Sequence, residues 1–495
     1  MYVKDSAIDS QEKEGGGRPF PVLTPGNIHY CVSEKGQGIC WGGLGVVQQL
    51  ATRLGLAESI DRRVRVLKRH LPYHESDHVL SQIYNVVSGG VCLQDGESKR
   101  QDGNYRLAVG ASRLPAPSTS GDFLRRFSRA DVEDLQESFN EGRLKVWLAQ
   151  PKSWRKLARI DVDGTVAPTS GECKQGMGLS YNGKWGYHPL VVSLANSQEV
   201  LYTVNRSGNR PSHDGAVEWI DRAVALARQG GFGKVRLRGD TDFALTAHFD
   251  RWSEEGVQFV FGMDAHPSFV ARAEQLPEER FRPLERRKPE PRGPRRRKAV
   301  RVKERIVAEK GYKNLVLEHE DVAEMDYRPI KCARDYRMVV LRKRIQVKKG
   351  QQRLFDEVRY FFYVSNVRPR ELSTVGVVRE SNGRCQQENV IEQLKNGVEA
   401  LRMPSDKLES NWVYLVIAAQ AWNLKSWLGL ALPQMAGARK LVRMHFRRFF
   451  REWVQIPCQV VRRGGRLIFR LLSRNEWTPL LLQGSRLLRT GRLAL

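Results

Sequence analysis

The sequence predicts an α/β fold: a mixed sheet flanked by helices, interrupted by a mostly β insertion, with a helical N-terminal domain and a helical, basic C-terminal region. Three observations predict it. Over residues 157–262 the apolar residues switch between strand and helix periodicity in the order β-β-β-α-β-α-β. Two of those strands run straight into an acidic turn, DVDGT and GDTDF. Finally, residues 382–401 divide on a helix, at about 100° per residue, into two stripes. One is apolar, with Val390, Ile391, Leu394, Val398 and Leu401; the other is charged, with Arg384, Glu388, Glu392 and Lys395.

In chain order, the polar residues 1–19 are expected to be a disordered tail and residues 20–150 a helical DNA-binding domain. Residues 42–71 read as one helix with Leu44, Val47, Leu50, Leu54 and Leu56 on its apolar face, followed by residues 78–87 as another. Within residues 115–139, Ser118 or Ser120 can cap a short basic helix carrying Arg125, Arg126 and Arg129, suited to a DNA groove or equally to a solvated face. Residues 151–265 form the first part of the α/β core: strand 157–166, a hairpin of 187–194 and 199–205, a helix from Ser212 to Arg228, strand 234–238, helix 244–255 and strand 257–262. With a later helix returning a carboxylate, that order is what an RNase H-like fold requires. Residues 266–375 are a basic linker and β-rich insertion. Its Pro-broken stretch 281–305 carries Arg295, Arg296 and Arg297 as candidate DNA contacts, and strands are expected at 315–317, 337–343 and 357–365. Residues 376–432 hold the last core helices, and 433–495 the basic C-terminal region.

Composition narrows the function. Lys and Arg number 82 against 55 Asp and Glu, and a net charge of +27 spread along the chain calls for a polyanionic partner, nucleic acid first. The seven cysteines show no C-x-x-C or metal-ligand spacing, which fits plain thiols in a reducing compartment. The longest apolar run, 412–432, is broken by Gln420, Asn423 and Lys425 and reads as a buried helix rather than a membrane span.

Asp163 and Asp240 each follow a strand, at the carboxyl end where ligands collect in open α/β sheets. Glu388 on its helix completes a set of three. Three converging carboxylates repel one another unless cations occupy the site. Mg²⁺ suits such oxygen ligands, Mn²⁺ can substitute, and two such ions can drive in-line attack on phosphorus. The charged stripe has a plainer reading as a solvated ladder, Arg384 with Glu388 and Glu392 with Lys395.

Six blocks, DVDGT at 161–165, KWGYHPL at 184–190, NRSGNRPSH at 205–213, RGDTDF at 238–243, RYFFYVSN at 359–366 and NGRCQQENVIEQLKNG at 382–397, resemble the insertion-sequence DDE transposases of the retroviral-integrase superfamily. The thirteen-eighty insertion-sequence group is the most similar. The resemblance implies metal-dependent nicking at transposon ends and strand transfer into target DNA. It implies Asp163, Asp240 and Glu388 as catalytic metal ligands, and Arg384 and Lys395 as DNA-phosphate contacts. It further implies double-stranded DNA as partner, a homodimer or larger assembly on that DNA, no membrane, and a cytoplasmic, nucleoid-associated place in a bacterium. The family usually has Tyr three residues before the Arg; here the position is Ser381. His188 and His213 lie inside matching blocks and are expected to be hydrogen-bonded structural residues.

Two other readings compete. DVDGTV also satisfies the D-x-D-G-T motif of haloacid-dehalogenase-like phosphatases, with Asp161 as nucleophile and Asp163 as general acid. The hairpin that follows, and the charge, speak against it. The third reading is a non-catalytic, DNA-binding relic of a transposase.

Overall fold

Leu44, Val47, Leu50 and Leu54 recur at helical spacing, and in the computed structural model they line the buried face of α1 (Leu44–Leu54). The structure describes residues 38–285, 306, 309–349, 352–432 and 437–490. The expected tail, and Arg295, Arg296 and Arg297, lie outside the described residues. Gly55, at φ +71°, ends α1 and opens α2 (Leu56–Arg63), so the single helix expected over 42–71 is two helices meeting at a left-handed residue that favours glycine. Next come α3 (Glu75–Val87), α4 (Pro117–Leu124) and α5 (Arg129–Leu148). Neither Ser118 nor Ser120 caps a helix: Pro117 begins α4, and the cap belongs to Ser128, whose hydroxyl pairs with Asp131 at the start of α5. The short basic helix therefore does not exist as expected. Arg125 and Arg126 lie in the turn between α4 and α5, and Arg129 opens α5.

The expected β-β-β-α-β-α-β order is present. Strands β1 (Ala158–Gly164), β2 (Leu190–Leu194), β3 (Glu199–Val204), β4 (Val235–Gly239) and β5 (Gln258–Met263) are crossed by α6 (Ala216–Gln229) and the short α7 (Phe249–Glu254). In space they run β3-β2-β1-β4-β5, with β2 antiparallel to both neighbours and β1, β4 and β5 mutually parallel. Parallel neighbours need a crossover, which is the work of α6 and α7. Helix α6 starts after Gly215, three residues beyond the expected Ser212. Tyr187, expected to begin the hairpin, instead belongs with Trp185–Tyr187 to a separate three-stranded sheet.

The β-rich insertion is not a separate layer. Its long strands β6 (Lys313–Tyr327), β7 (Tyr336–Lys349) and β8 (Gln352–Ser365) extend the same sheet through antiparallel pairing of β8 with β5 over Phe362–Met263 to Ser365–Val260, and the two-residue strand Arg282–Pro283, paired with β6, brings it to nine strands. An unpaired β5 would expose an edge ready for aggregation, and the insertion covers it.

After β8 come α8 (Thr374–Asn382), α9 (Cys385–Glu392) and the long α10 (Leu408–Ala431), buried over nearly its whole length. Of its polar interruptions, Asn423 donates to the Val200 carbonyl at 2.9 Å and Lys425 to the Leu441 and Val442 carbonyls at 2.8 Å, while Gln420 accepts from Asn423 at 3.2 Å but leaves its own Nε2 without a partner among the described residues. Burial pushes the Lys425 ammonium pKa well below its usual value. No helix among the described residues is long and apolar enough to cross a membrane. Beyond α11 (Ala438–Arg443), the basic stretch RRGGRLIFRLL forms a hairpin, β9 (Cys458–Arg463) and β10 (Arg466–Leu471), and α12 (Thr478–Thr490) follows. A helix was expected there; Gly464 and Gly465, both at positive φ, supply the two-residue turn instead.

Buried Glu199 on β3 ties the layers together. It accepts from Arg143 (3.1 Å) and Trp147 (2.9 Å) on α5 and from Trp427 (2.6 Å) on α10. The described residues from 38 onward make up one compact unit, whose largest core joins the N-terminal helices, the first five strands and α10, while the insertion packs mostly in smaller clusters of its own. The six described cysteines are free.

Candidate active site

The register of β1 and β4 brings the two aspartates together. Asp161 stands opposite Arg238 on the parallel neighbour, and the same register carried two residues further sets Asp163 level with Asp240 at the carboxyl edge. Arg384, the residue before α9, reaches both: its Nη1 lies 3.0 Å from Asp163 Oδ2 and 3.6 Å from Asp240 Oδ2. Burial pushes the Asp163 carboxyl up to about 6, against the pull of the Arg384 guanidinium and helped by the Asp240 charge. Burial raises Asp240 as well, again opposed by Arg384.

Helix α9 is docked by its own residues. Buried Gln387 donates to the Val191 carbonyl of β2 at 3.0 Å and accepts from the Ser193 hydroxyl, while Val390 and Leu394 pack into the core. Glu388, beside Gln387, is exposed. The carboxylates of Asp163, Asp240 and Glu388 do not all come within 4.8 Å of one another, so the expected three-carboxylate set is assembled here only as the aspartate pair. Arg384 supplies positive charge between those two. Past Glu392 the expected straight helix loosens into a π turn, Gln393–Gly397, and Glu399 adopts φ +53°. The ladder reading fails for Arg384, whose acidic partners are the two aspartates rather than Glu388. Lys395 is exposed, with no acidic partner among the described residues.

Asp161 has a different fate from Asp163. It is fully buried and accepts both arms of Arg238, at 2.6 and 2.7 Å. Arg238 also reaches Glu380 of α8, whose carboxylate pairs with Arg159 (2.7 Å) and Arg236 (3.2 Å) on the same sheet face. A nucleophile needs access to phosphorus, and Asp161 has none, which removes the phosphatase reading. The Glu380 cluster sets where α8 ends and hence where Arg384 begins; its signal lay in the strand arginines, which sequence periodicity alone does not pair with a distant glutamate. His188 is structural, as expected: it is buried, its Nδ1 lies 2.8 Å from the Arg210 carbonyl, and its Nε2 crowds Gly164 so closely that a Cβ there would meet it at 2.7 Å. His213 is exposed.

The other candidate contacts are spread out. Arg125 pairs with Asp122 (3.1 Å) and Asp406 (3.0 Å), and Arg129 with Glu133 (2.8 Å) and Glu218 (3.3 Å), while Arg126 is exposed. As to a metal, the pair fits a hard divalent ion by its chemistry: two oxygen donors at one sheet edge, both resisting ionisation and so in need of a neighbouring positive charge.

No curated protein matches the sequence. Among solved structures, a piggyBac transposase synaptic complex with hairpin DNA, determined by cryo-EM, is similar at a TM-score of 0.36 and 10% identity, over 82% of this chain and 79% of that one. The family of transposase DDE domains, group 1, matches residues 31–492, nearly the full length. A match of that extent, over a mixed sheet whose adjoining strands end on Asp163 and Asp240, makes this chain a member of the DDE transposase family.

Proposed function

We propose that this transposase binds the terminal inverted repeats of an insertion sequence and catalyses metal-dependent cleavage and strand transfer of DNA on an RNase H-like core. The observation that carries the reading is the pairing of Asp163 and Asp240 around one Arg384 nitrogen at the carboxyl edge of the sheet. Asp163 and Asp240 would hold Mg²⁺, or Mn²⁺ in its place, with exposed Glu388 closing in from α9. Once bound, the ions activate water or a 3′-hydroxyl and stabilise the leaving oxygen. The chain's own part is positional. Gln387 fixes α9 on β2, the Glu380 cluster fixes the end of α8, and Arg384 balances the charge of the two aspartates. Arg384 and Lys395 would contact DNA phosphate beside the scissile strand. Arg125, Arg126, Arg129, Arg295, Arg296 and Arg297 are further candidate DNA contacts, on a chain of net charge +27. The working form is a homodimer or larger on DNA, associated with a bacterial nucleoid.

The test separates binding from chemistry. Glu388→Gln should bind element-end DNA as wild type does, with affinity falling steeply with salt, yet not cut it in Mg²⁺. Full cleavage by Glu388→Gln would remove Glu388 from the site; a wild type that binds but never cuts would leave the relic reading.

A further inference from the structure

We propose that His70, His74 and Glu75, at the start of α3, form a site for a divalent transition-metal ion of the zinc class, apart from the aspartate pair. One ligand atom from each of the three lies within 4.8 Å of the others, and among the described residues no other three His, Cys, Asp or Glu side chains meet so closely. The carboxylate is already oriented. Glu75 is 1% exposed; its Oε1 accepts from the backbone N–H groups of Val66 (3.1 Å) and Leu67 (3.0 Å), which turns Oε2 towards His70 Nε2 at 3.2 Å. The His70 and His74 rings are stacked, with centroids 5.1 Å apart and planes 13° from parallel.

An imidazole lone pair lies in its ring plane, so the two near-parallel rings would converge on one cation by a turn about the side-chain torsions of exposed His74, and a single cation would then take a lone pair from each of the three. Two imidazole nitrogens and one carboxylate oxygen suit zinc and its neighbours rather than Mg²⁺, which prefers oxygen throughout. Three protein ligands leave a fourth position for water. The turn that carries them is braced as metal ligands require: Asp61 accepts from the Ser76 backbone and hydroxyl at 2.8 Å, and Asp77 accepts from the His74 N–H at 2.8 Å. A bound ion would tie the end of α2 to the start of α3 and fix the intervening exposed residues Arg65, Lys68 and Arg69.

The experiment is a calorimetric titration of untagged, chelator-treated full-length protein with Zn²⁺ alone. Wild type and the Asp163→Asn/Asp240→Asn double variant should each bind about one ion per chain at this site, releasing protons as the pH is lowered. His70→Ala and Glu75→Gln should bind at least about tenfold more weakly, the scale on which even supporting residues of metal sites act. Co²⁺ bound to wild type should show the visible absorption of a four-coordinate site, absent from His70→Ala. Glu75→Gln keeps the acceptor for Val66 and Leu67, and the His70 side chain is about half exposed, so circular dichroism should match wild type in both; should Glu75→Gln unfold, His70→Ala decides. The proposal is overturned if wild type binds no Zn²⁺, if His70→Ala binds as wild type does, or if only the aspartate variant loses the ion.

Discussion

Arg238 grips Asp161 with both arms of its guanidinium, and so settles which aspartate of DVDGT is structural. Asp161→Asn leaves Arg238 buried with half its charge partners gone, a loss on the order of 3–5 kcal/mol, which should appear as a large drop in melting temperature. Asp163→Asn should do the opposite. Removing a buried carboxyl that resists ionisation should leave the melting temperature at neutral pH unchanged or higher, while Mg²⁺-dependent cleavage disappears. Equal destabilisation by the two variants would refute the division.

The pH dependence has a definite sign. The fold raises the Asp163 carboxyl to about 6 and so favours its protonated form. Its contribution to stability is full below the ordinary carboxylate value, about 4, and is lost as pH rises through about 6. Without Mg²⁺, wild type should therefore lose stability relative to Asp163→Asn across that window. Mg²⁺ needs the ionised carboxylate, so the stabilisation it gives should grow over the same range. Melting curves from acid to neutral pH, with and without Mg²⁺, test both.

Arg384 holds both aspartate pKa values lower than burial alone would set them. In Arg384→Gln, Mg²⁺ should begin to stabilise the protein only at a higher pH than in wild type, with no DNA present. If Arg384 served DNA alone, that onset would stay put and only DNA affinity would fall.

Gly383 joins α8 to α9 under the Arg238 side chain; a Cβ there would lie 2.8 Å from Arg238 Nη1 and 3.2 Å from the Glu380 carbonyl. Gly383→Ala should cost about 1–3 kcal/mol by displacing Arg238, measured by chemical denaturation. An unchanged midpoint would mean the junction has room to relax.

The core order was legible because its strands and helices each show a clean period, and Asp163 and Asp240 because they close strands. Asp161 and Asp163 share one face of β1, so the pattern along the strand cannot tell them apart. The pairing of β1 with β4 does, by placing Arg238 beside one and Arg384 beside the other. The insertion strands were found but undersized, since charged residues of both signs run through β6–β8 and blur their ends. His70 and His74 stand at a spacing common among zinc ligands, but their meeting with Glu75 depends on the turn ahead of α3, which periodicity along the chain does not display.

The nine-stranded sheet has a consequence for reach. Strand β8 pairs with β5 only through its last four residues, Phe362 to Ser365, and the rest of the β6–β8 ribbon projects beyond that pairing. From Phe362 back to Gln352 an extended strand spans roughly 33 Å, about the rise of ten base pairs of duplex at 3.4 Å each. The ribbon is thus a stiff outrigger, bonded edge to edge to the strand beside Asp240. No linker separates that ribbon from the core: β5 is hydrogen-bonded to β8 on one side and to β4 on the other.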